Sequence, residues 1–341
     1  MTDHSNLPNS KPVGMVSARR VRRAWGRTML IAVVALAMLA FLYYGAAMAW
    51  QHWLGERVDP NLNRLSSIEL GEDDSANHID LPGMLAGLSQ STIDAAEFPL
   101  DPVLEIASAA KQYIEENIRD YTSIMINQVR IGSRPIREEQ FMYCKIRHRH
   151  TTAEGEEKPF SIYTRFVAPQ NVLGQEAIWV EGQNNGKIIG HAAGLLNVAR
   201  FWLDPEGPIA MEGNLHPMYQ MGFARFLDIL LEKGLRDREC TDCQVTLTRN
   251  ITIDERPCLL LEVKHPEQKG DIDFHIARIY IDIGHQIPIG YEGYLWPEKP
   301  GDPPLLIEKY LYTQIQLNVG LTDADFDPDN PEYDFPGRKR R

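Results

Sequence analysis

The segment LTDADFDPDN (Leu321 to Asn330) sets Asp323, Asp325 and Asp327 at alternate positions, with Asp329 next in line. Alternate carboxylates are what positions 1, 3 and 5 of an EF-hand supply, but that loop also needs glycine at position 6 and glutamate at position 12. Pro328 and Asp334 stand there instead. Proline fixes φ near −65° and cannot make the turn that glycine makes, and the flanking residues do not read as helices, so no calcium site is expected.

Sulfur chemistry centres on CTDC (Cys240 to Cys243), in a chain with four cysteines. A redox pair of the thioredoxin kind sits where a strand runs into a helix whose N-terminus stabilises the thiolate. Here the order is helix, CxxC, strand. A zinc site needs four ligands, and only Cys258 and His265 lie nearby in sequence, without a second CxxC. In an oxidising compartment a structural disulfide among Cys240, Cys243 and Cys258 is expected. Cys144 alternates with Met142 and Ile146 and reads as a core thiol. RHRH (Arg147 to His150) is an anion or metal candidate, but neighbours on a strand point to opposite faces, which favours a solvated strand end. The sequence contains no GxSxG, no HExxH and no phosphate-binding glycine loop. Neither a catalytic residue, a metal nor a cofactor is implied, and the chain is read as non-enzymatic.

These residues belong to a chain of 341, of which 43% are hydrophobic, enough to bury a sizeable core. From Thr28 to Trp50 no charge interrupts the sequence, a length that carries a helix across about 30 Å of hydrocarbon. Arg19, Arg20, Arg22, Arg23 and Arg27 precede it, which places residues 1–27 in the cytoplasm and the remainder outside. Ala47-Met48-Ala49 offers a signal-peptidase alternative, but the apolar core is longer than a signal peptide uses, so an uncleaved anchor is expected. Residues 1–27 carry six basic groups and one acidic group against an overall −12, leaving −17 on the exported part. Phosphate backbones would repel such a domain, and nucleic acid is excluded as a partner.

Residues 51–100 are acidic, rich in turn formers and without period, and read as a linker. Asp101-Pro102 opens a helix with a stripe of Val103, Ile106, Ala107, Ala110, Ile114 and Ile118. The period then falls to two through YTSIMINQVRIG, EQFMYCKIRHRH, FSIYTRFVAP and EAIWVEGQNNGKIIGH, with Asn185-Gly186 as a hairpin turn. ARFWLDPEGPIAM reads as another hairpin, turning at Asp204 to Gly207. A second helix follows Pro217, with Tyr219, Phe223, Phe226, Leu227 and Leu230 on one face and Gly234 at its end. Strands then resume. Symmetric pairing around PEKPGDPP sets Glu292 opposite Lys309 and Trp296 opposite Leu305. The expected fold is α+β: a large antiparallel sheet with two principal helices over residues 101–336, ending in a basic tail at 337–341.

Taken in order, YTSIMINQVRIG, EQFMYCKIRH, PFSIYTRF, GQEAIWVEGQNNGKIIGH, FWLDPEGPIAMEG and LTDADFDPDNPEYDF resemble the bacterial family called domain of unknown function 1571, over roughly residues 100–336. The stretch IDERPCLLLEVKHP to FHIARIYIDIGHQIPIGYEGYLW is similar to the periplasmic lipoprotein carrier LolA and its relatives LolB and RseB. Asp282 and Pro288 occupy two places of that pattern, while Glu255 stands where it has glycine in the first turn. This likeness implies a curved antiparallel half-barrel in the periplasm, with helices lying over its concave side. LTDADFDPDN then becomes the end of the last strand plus an exit turn. The resemblance also implies an apolar ligand, a lipid or the acyl chains of a lipidated protein. Tyr219, Phe223, Phe226 and Leu230 would share their face between packing and that ligand. An RseB-like signalling or scaffold module contacting a membrane protein is the alternative, and an enzyme the third.

Overall fold

The computed structural model describes residues 80–194, 197–270 and 272–337. The expected cytoplasmic tail, the membrane helix at 28–50, most of the linker and the tail from 338 lie outside the described residues. Among the described residues no helix is long and apolar enough to cross a membrane.

The described residues begin with three helices: α1 (Leu81–Gly87), α2 (Gln90–Asp94) and α3 (Asp101–Asn117). The strands β1 (Asp120–Val129), β2 (Gln140–Arg147), β3 (His150–Thr151), β4 (Glu157–Lys158), β5 (Ser161–Ala168), β6 (Glu176–Val180), β7 (Ile188–His191) and β8 (Phe201–Leu203) follow. Then come α4 (Phe223–Asp237) and the strands β9 (Gln244–Ile253), β10 (Arg256–Lys264), β11 (Ile276–Asp282), β12 (Ile287–Leu295) and β13 (Leu305–Leu317). Among the described residues eleven strands make one open antiparallel sheet in the order β8-β7-β6-β5-β2-β1-β13-β12-β11-β10-β9, and β3 pairs with β4 apart from it. The strands β8 and β9 that flank α4 in sequence are therefore the two opposite edges of the sheet. Residues 204–243 must cross from one edge to the other, and α4 is built into that crossing.

Strand period decides the faces. In β1 the buried positions Tyr121, Ser123, Met125, Asn127 and Val129 alternate with half-buried ones, as a sheet covered mainly on one side requires. The helices cover that side, burying Ile106, Ala110 and Ile114 of α3 and Phe223 and Leu227 of α4. The other face of β5 to β7 is covered by the C-terminal segment, whose Phe326, Tyr333 and Phe335 pack on Tyr163, Ile178, Val180 and Ile189. Tyr333 stacks on Tyr163 with ring centroids 4.1 Å apart.

Several expectations are corrected. Residues 80–100 fold: Leu81, Leu85, Leu88, Ile93 and Leu100 are all buried in the main core, so the domain includes them and the linker does not reach 100. Helix α3 is capped at Leu100, because the Asp101 carboxylate is taken by a bidentate pair from Arg238, 2.5 and 2.8 Å, that ties it to the end of α4. Helix α4 starts after Gly222, which leaves Tyr219 in a separate 3-10 turn (Met218–Gln220). Gly234 does not end α4: it lies where α3 and α4 meet, and a Cβ there would stand 2.7 Å from Leu104 Cδ2 and displace the tip of that leucine. The Asp204 to Gly207 turn is not followed by a partner strand.

Register follows the symmetric pairing at Glu292 opposite Lys309, but an irregularity between Gly293 and Tyr294 shifts the remainder, so Leu295 and not Trp296 faces Leu305. The β9–β10 hairpin turns on Asp254 and Glu255, both left-handed at φ 50° and 62°. Glu255 thus adopts the conformation for which the LolA pattern has glycine, giving a two-residue turn suited to strand twist.

The C-terminal aspartates are not a strand end, since β13 stops at Leu317. Thr322 and Asp325 form a capping box on a 3-10 turn (Asp323–Phe326). The carboxylates diverge. Asp323 meets Arg147 at 2.7 Å and Lys158 at 2.9 Å, Asp325 meets Lys145 at 2.7 Å, and Asp329 meets Arg200 at 2.5 Å. The Lys158 and Arg147 hydrogen bonds hold the Asp323 carboxyl below its usual range. RHRH is a solvated strand end only in part: Arg149 is exposed, but Arg147 is 2% exposed, lies over the Phe326 ring and bonds Ser161, and His148 Nδ1 bonds the Ile118 carbonyl at 2.8 Å.

Candidate functional site

Between the helices and β10 to β12 lies a cavity of about 90 Å³. Leu85 of α1, Val103 and Ala107 of α3 and Leu227 and Leu230 of α4 form its roof, and Leu261, Val263, Ile279, Ile281 and Tyr291 its floor. The floor residues alternate along their strands, and the roof residues recur at helical spacing, so each element turns one stripe to the same space. Burial of this kind stabilises by about 25 cal/mol per Å² of apolar surface, and the same surface is what an apolar ligand would cover.

Of the four residues expected at a ligand, Leu230 lines the cavity. Phe223 does not: it is 0% exposed, stacked on Tyr121 with centroids 4.2 Å apart and edge-on to Tyr312 at 5.0 Å. Phe226 packs edge-on against Tyr291 at 5.6 Å, and Tyr219 donates its hydroxyl to Glu206 outside the helix. The stripe on α4 is thus divided, its phenylalanines turning to the centre of the sheet and its leucines to the cavity. Leu85 and Leu88 were missed because the segment that carries them has no sustained period.

Four polar side chains reach the cavity wall: Lys233, Asp237, His265 and Gln286. Lys233 is held by Asp273 at 3.1 Å and Asp237 by Arg236 at 2.8 Å. His265, 0% exposed, follows β10 with its ring edge-on to Phe274 at 4.9 Å. Burial pushes its pKa down, favouring the neutral imidazole, against the opposite pull of the nearby Asp237 carboxylate. Asp237 also borders a surface cleft of about 390 Å³ lined by Cys240, Thr241, Asp242 and Lys269.

All four cysteines are free thiols in the structure. Cys258 pairs with Ile251 on β9, seven residues from Gln244 at the strand's other end, next to Cys243. At about 3.3 Å per residue that separation is roughly 23 Å, against the ~7 Å limit for bridged Cα atoms. Geometry removes Cys258 from the disulfide set. Cys240 and Cys243 share a turn closed by the Cys243 amide on the Cys240 carbonyl at 3.2 Å. Burial pushes the Cys243 thiol up to about 12. In protein recovered from an oxidising compartment, non-reducing mass spectrometry should find Cys240 joined to Cys243, with Cys258 and Cys144 as free thiols; a bridge to Cys258 would contradict the fold.

A second polar group lies under the C-terminal segment. Glu176, with a fully buried side chain, accepts from Tyr163 Oη at 2.9 Å and the Asp334 amide at 2.9 Å, and meets His191 Nε2 at 2.8 Å. His191 Nδ1 bonds the Ala192 carbonyl at 2.7 Å. Every one of these atoms is engaged within the fold. Among the described residues no three His, Cys, Asp or Glu side chains are placed to hold a metal ion.

Similar solved structures include a putative outer membrane lipoprotein-sorting protein domain from Vibrio parahaemolyticus, 12% identical, covering 66% of this chain and 95% of that one at a TM-score of 0.32. MucB in complex with MucA(peri) is 9% identical, covering 66% and 59% at a TM-score of 0.35. A LolA superfamily protein from Nitrosomonas europaea is 10% identical, covering 66% and 97% at 0.28. No curated protein matches the chain. The profile of the protein family of unknown function DUF1571 matches residues 118–335, nearly the whole run from β1 to the end of the C-terminal segment. The chain belongs to the DUF1571 family.

Proposed function

We propose that this domain binds an apolar chain, of a lipid or a lipidated protein, between α3–α4 and the strands β10 to β12, without chemistry. In this reading residues 28–50 anchor it in the inner membrane and the domain works in the periplasm. The observation that carries the reading is the cavity itself, walled by leucine, isoleucine and valine from five elements and by Pro288 and Tyr291 of β12. At about 90 Å³ it is well below the ~300–1,000 Å³ of ligand pockets. In this reading the described state is the closed one, and a chain enters as α4 lifts from the sheet.

Leu230→Trp fills the cavity from its roof. Titration of the full chain with a fluorescent fatty acid should show binding by the native protein and more than a tenfold loss in the variant, about 1.4 kcal/mol, with unchanged circular dichroism. If the native protein takes up no apolar probe, the reading fails.

A specific observation favours the scaffold reading in that event. Around the short edge strand β8, Val198, Phe201, Trp202 and Ile209 are 78, 43, 54 and 72% exposed. Apolar side chains beside an unpaired strand edge suit a protein partner.

A further inference from the structure

We propose that the cavity takes a single-chain lipid with an uncharged hydroxyl head, and that His265 receives that head. This rests on the apolar-ligand reading above and names the ligand class.

Buried polar groups in folded proteins are normally partnered. His265 is wholly buried on the cavity wall, yet neither Nδ1 nor Nε2 has a hydrogen-bond partner. Its nearest charged neighbour, Asp237 Oδ2, stands 4.0 Å from Nε2, beyond hydrogen-bonding reach, and is engaged by Arg236. An imidazole with two unused nitrogens on the wall of a mainly apolar space marks where a polar atom of a ligand fits.

The chemistry of the head follows from the neighbours. A neutral imidazole offers one donor and one acceptor, so its complement both donates and accepts, as a hydroxyl does. A carboxylate or phosphate would lie close to the buried Asp237 carboxylate, and the one ammonium on the wall, Lys233, is taken by Asp273. The tail follows from the strands. Cys258 pairs with Asp282 at one end of the β10–β11 ladder and Lys264 with Ile276 at the other, six residues or about 20 Å away. His265 lies just past the second end. Gln286, whose Oε1 is also buried without a partner on the cavity wall, lies past the first, in the β11–β12 turn. With α4 lifted, an extended chain would span the distance between them.

The test uses the full chain held in an amphipathic polymer, titrated calorimetrically with 1-dodecanol, dodecane and ionised dodecanoate. The native protein should bind 1-dodecanol at least tenfold more tightly than either of the others. His265→Leu should abolish the preference over dodecane, and Gln286→Leu should keep it. Equal affinity for dodecanol and dodecane, tightest binding of dodecanoate, or a preference lost in Gln286→Leu and kept in His265→Leu would each overturn the proposal. Should His265→Leu fail to fold, nitrogen NMR of the native histidine rings decides: dodecanol must shift one buried imidazole, and no shift overturns it. Binding of dodecane as tight as dodecanol sinks this proposal alone, whereas binding of none of the three sinks the apolar-ligand reading with it.

Discussion

Replacing Phe223 by alanine should lower the free energy of unfolding by about 3–5 kcal/mol, the largest effect expected from any single truncation on α4. The ring is 0% exposed between Tyr121 and Tyr312, and the Phe223 amide donates to Tyr121 Oη at 3.2 Å. Truncation leaves a cavity in the middle of the sheet face and removes two aromatic contacts. Leu235→Ala on the same helix, 61% exposed, should change stability by no more than ~0.5 kcal/mol. Urea unfolding followed by tryptophan fluorescence measures both. A loss under 1 kcal/mol for Phe223→Ala would mean that this face of α4 is free for a ligand after all.

Glu176→Ala should cost about 3–5 kcal/mol, as removal of one partner from a buried charged group does. The carboxylate gathers Tyr163, His191 and the Asp334 amide, and with Arg165 at 3.8 Å it sits where β5, β6, β7 and the C-terminal segment meet. Without it Tyr163 Oη and His191 Nε2 are buried unpaired and the part-buried Asp334 amide loses its acceptor, so the segment loses an anchor in addition to its aromatic packing. Hydrogen exchange should show this locally: the Asp334 amide and the residues around Tyr333 should exchange much faster in the variant, while β10 to β12 keep their protection. Uniform protection across the segment would show that its hold depends on the aromatic stack of Tyr163 and Tyr333 alone.

Much of the fold was legible as period. Alternation over YTSIMINQV and the stripe from Val103 to Ile114 state that one face of each element is buried, and the hairpin at Asn185-Gly186 follows from residues that tolerate positive φ, seen here at 54° and 77°. Cys144 is the core thiol its neighbours imply, 0% exposed. The short helices at 81–94 were not legible, because helices of 7 and 5 residues hold too few turns to show a stripe and are stabilised by packing more than by propensity.

What the sequence by itself determined is therefore the kind of each long element and the face it hides, since both depend on residues within one or two turns of each other. What covers that face was decided only in three dimensions. Phe223 and Leu230 belong to one stripe, yet one is sealed in the sheet against Tyr121 and the other looks into the cavity, a division made by how α4 lies on the sheet and on α3 and not by the period of the stripe. The alternate aspartates read locally as a candidate ion site, but their charges are matched by Lys145 and Arg147, 180 and 176 residues away along the chain. His265 acquires its place on the cavity wall, and its unpartnered nitrogens, from helices folded before and after the whole first half of the sheet. Periodicity records that a side chain leaves water; Coulomb partners and cavities depend on distances that only the folded chain brings within reach.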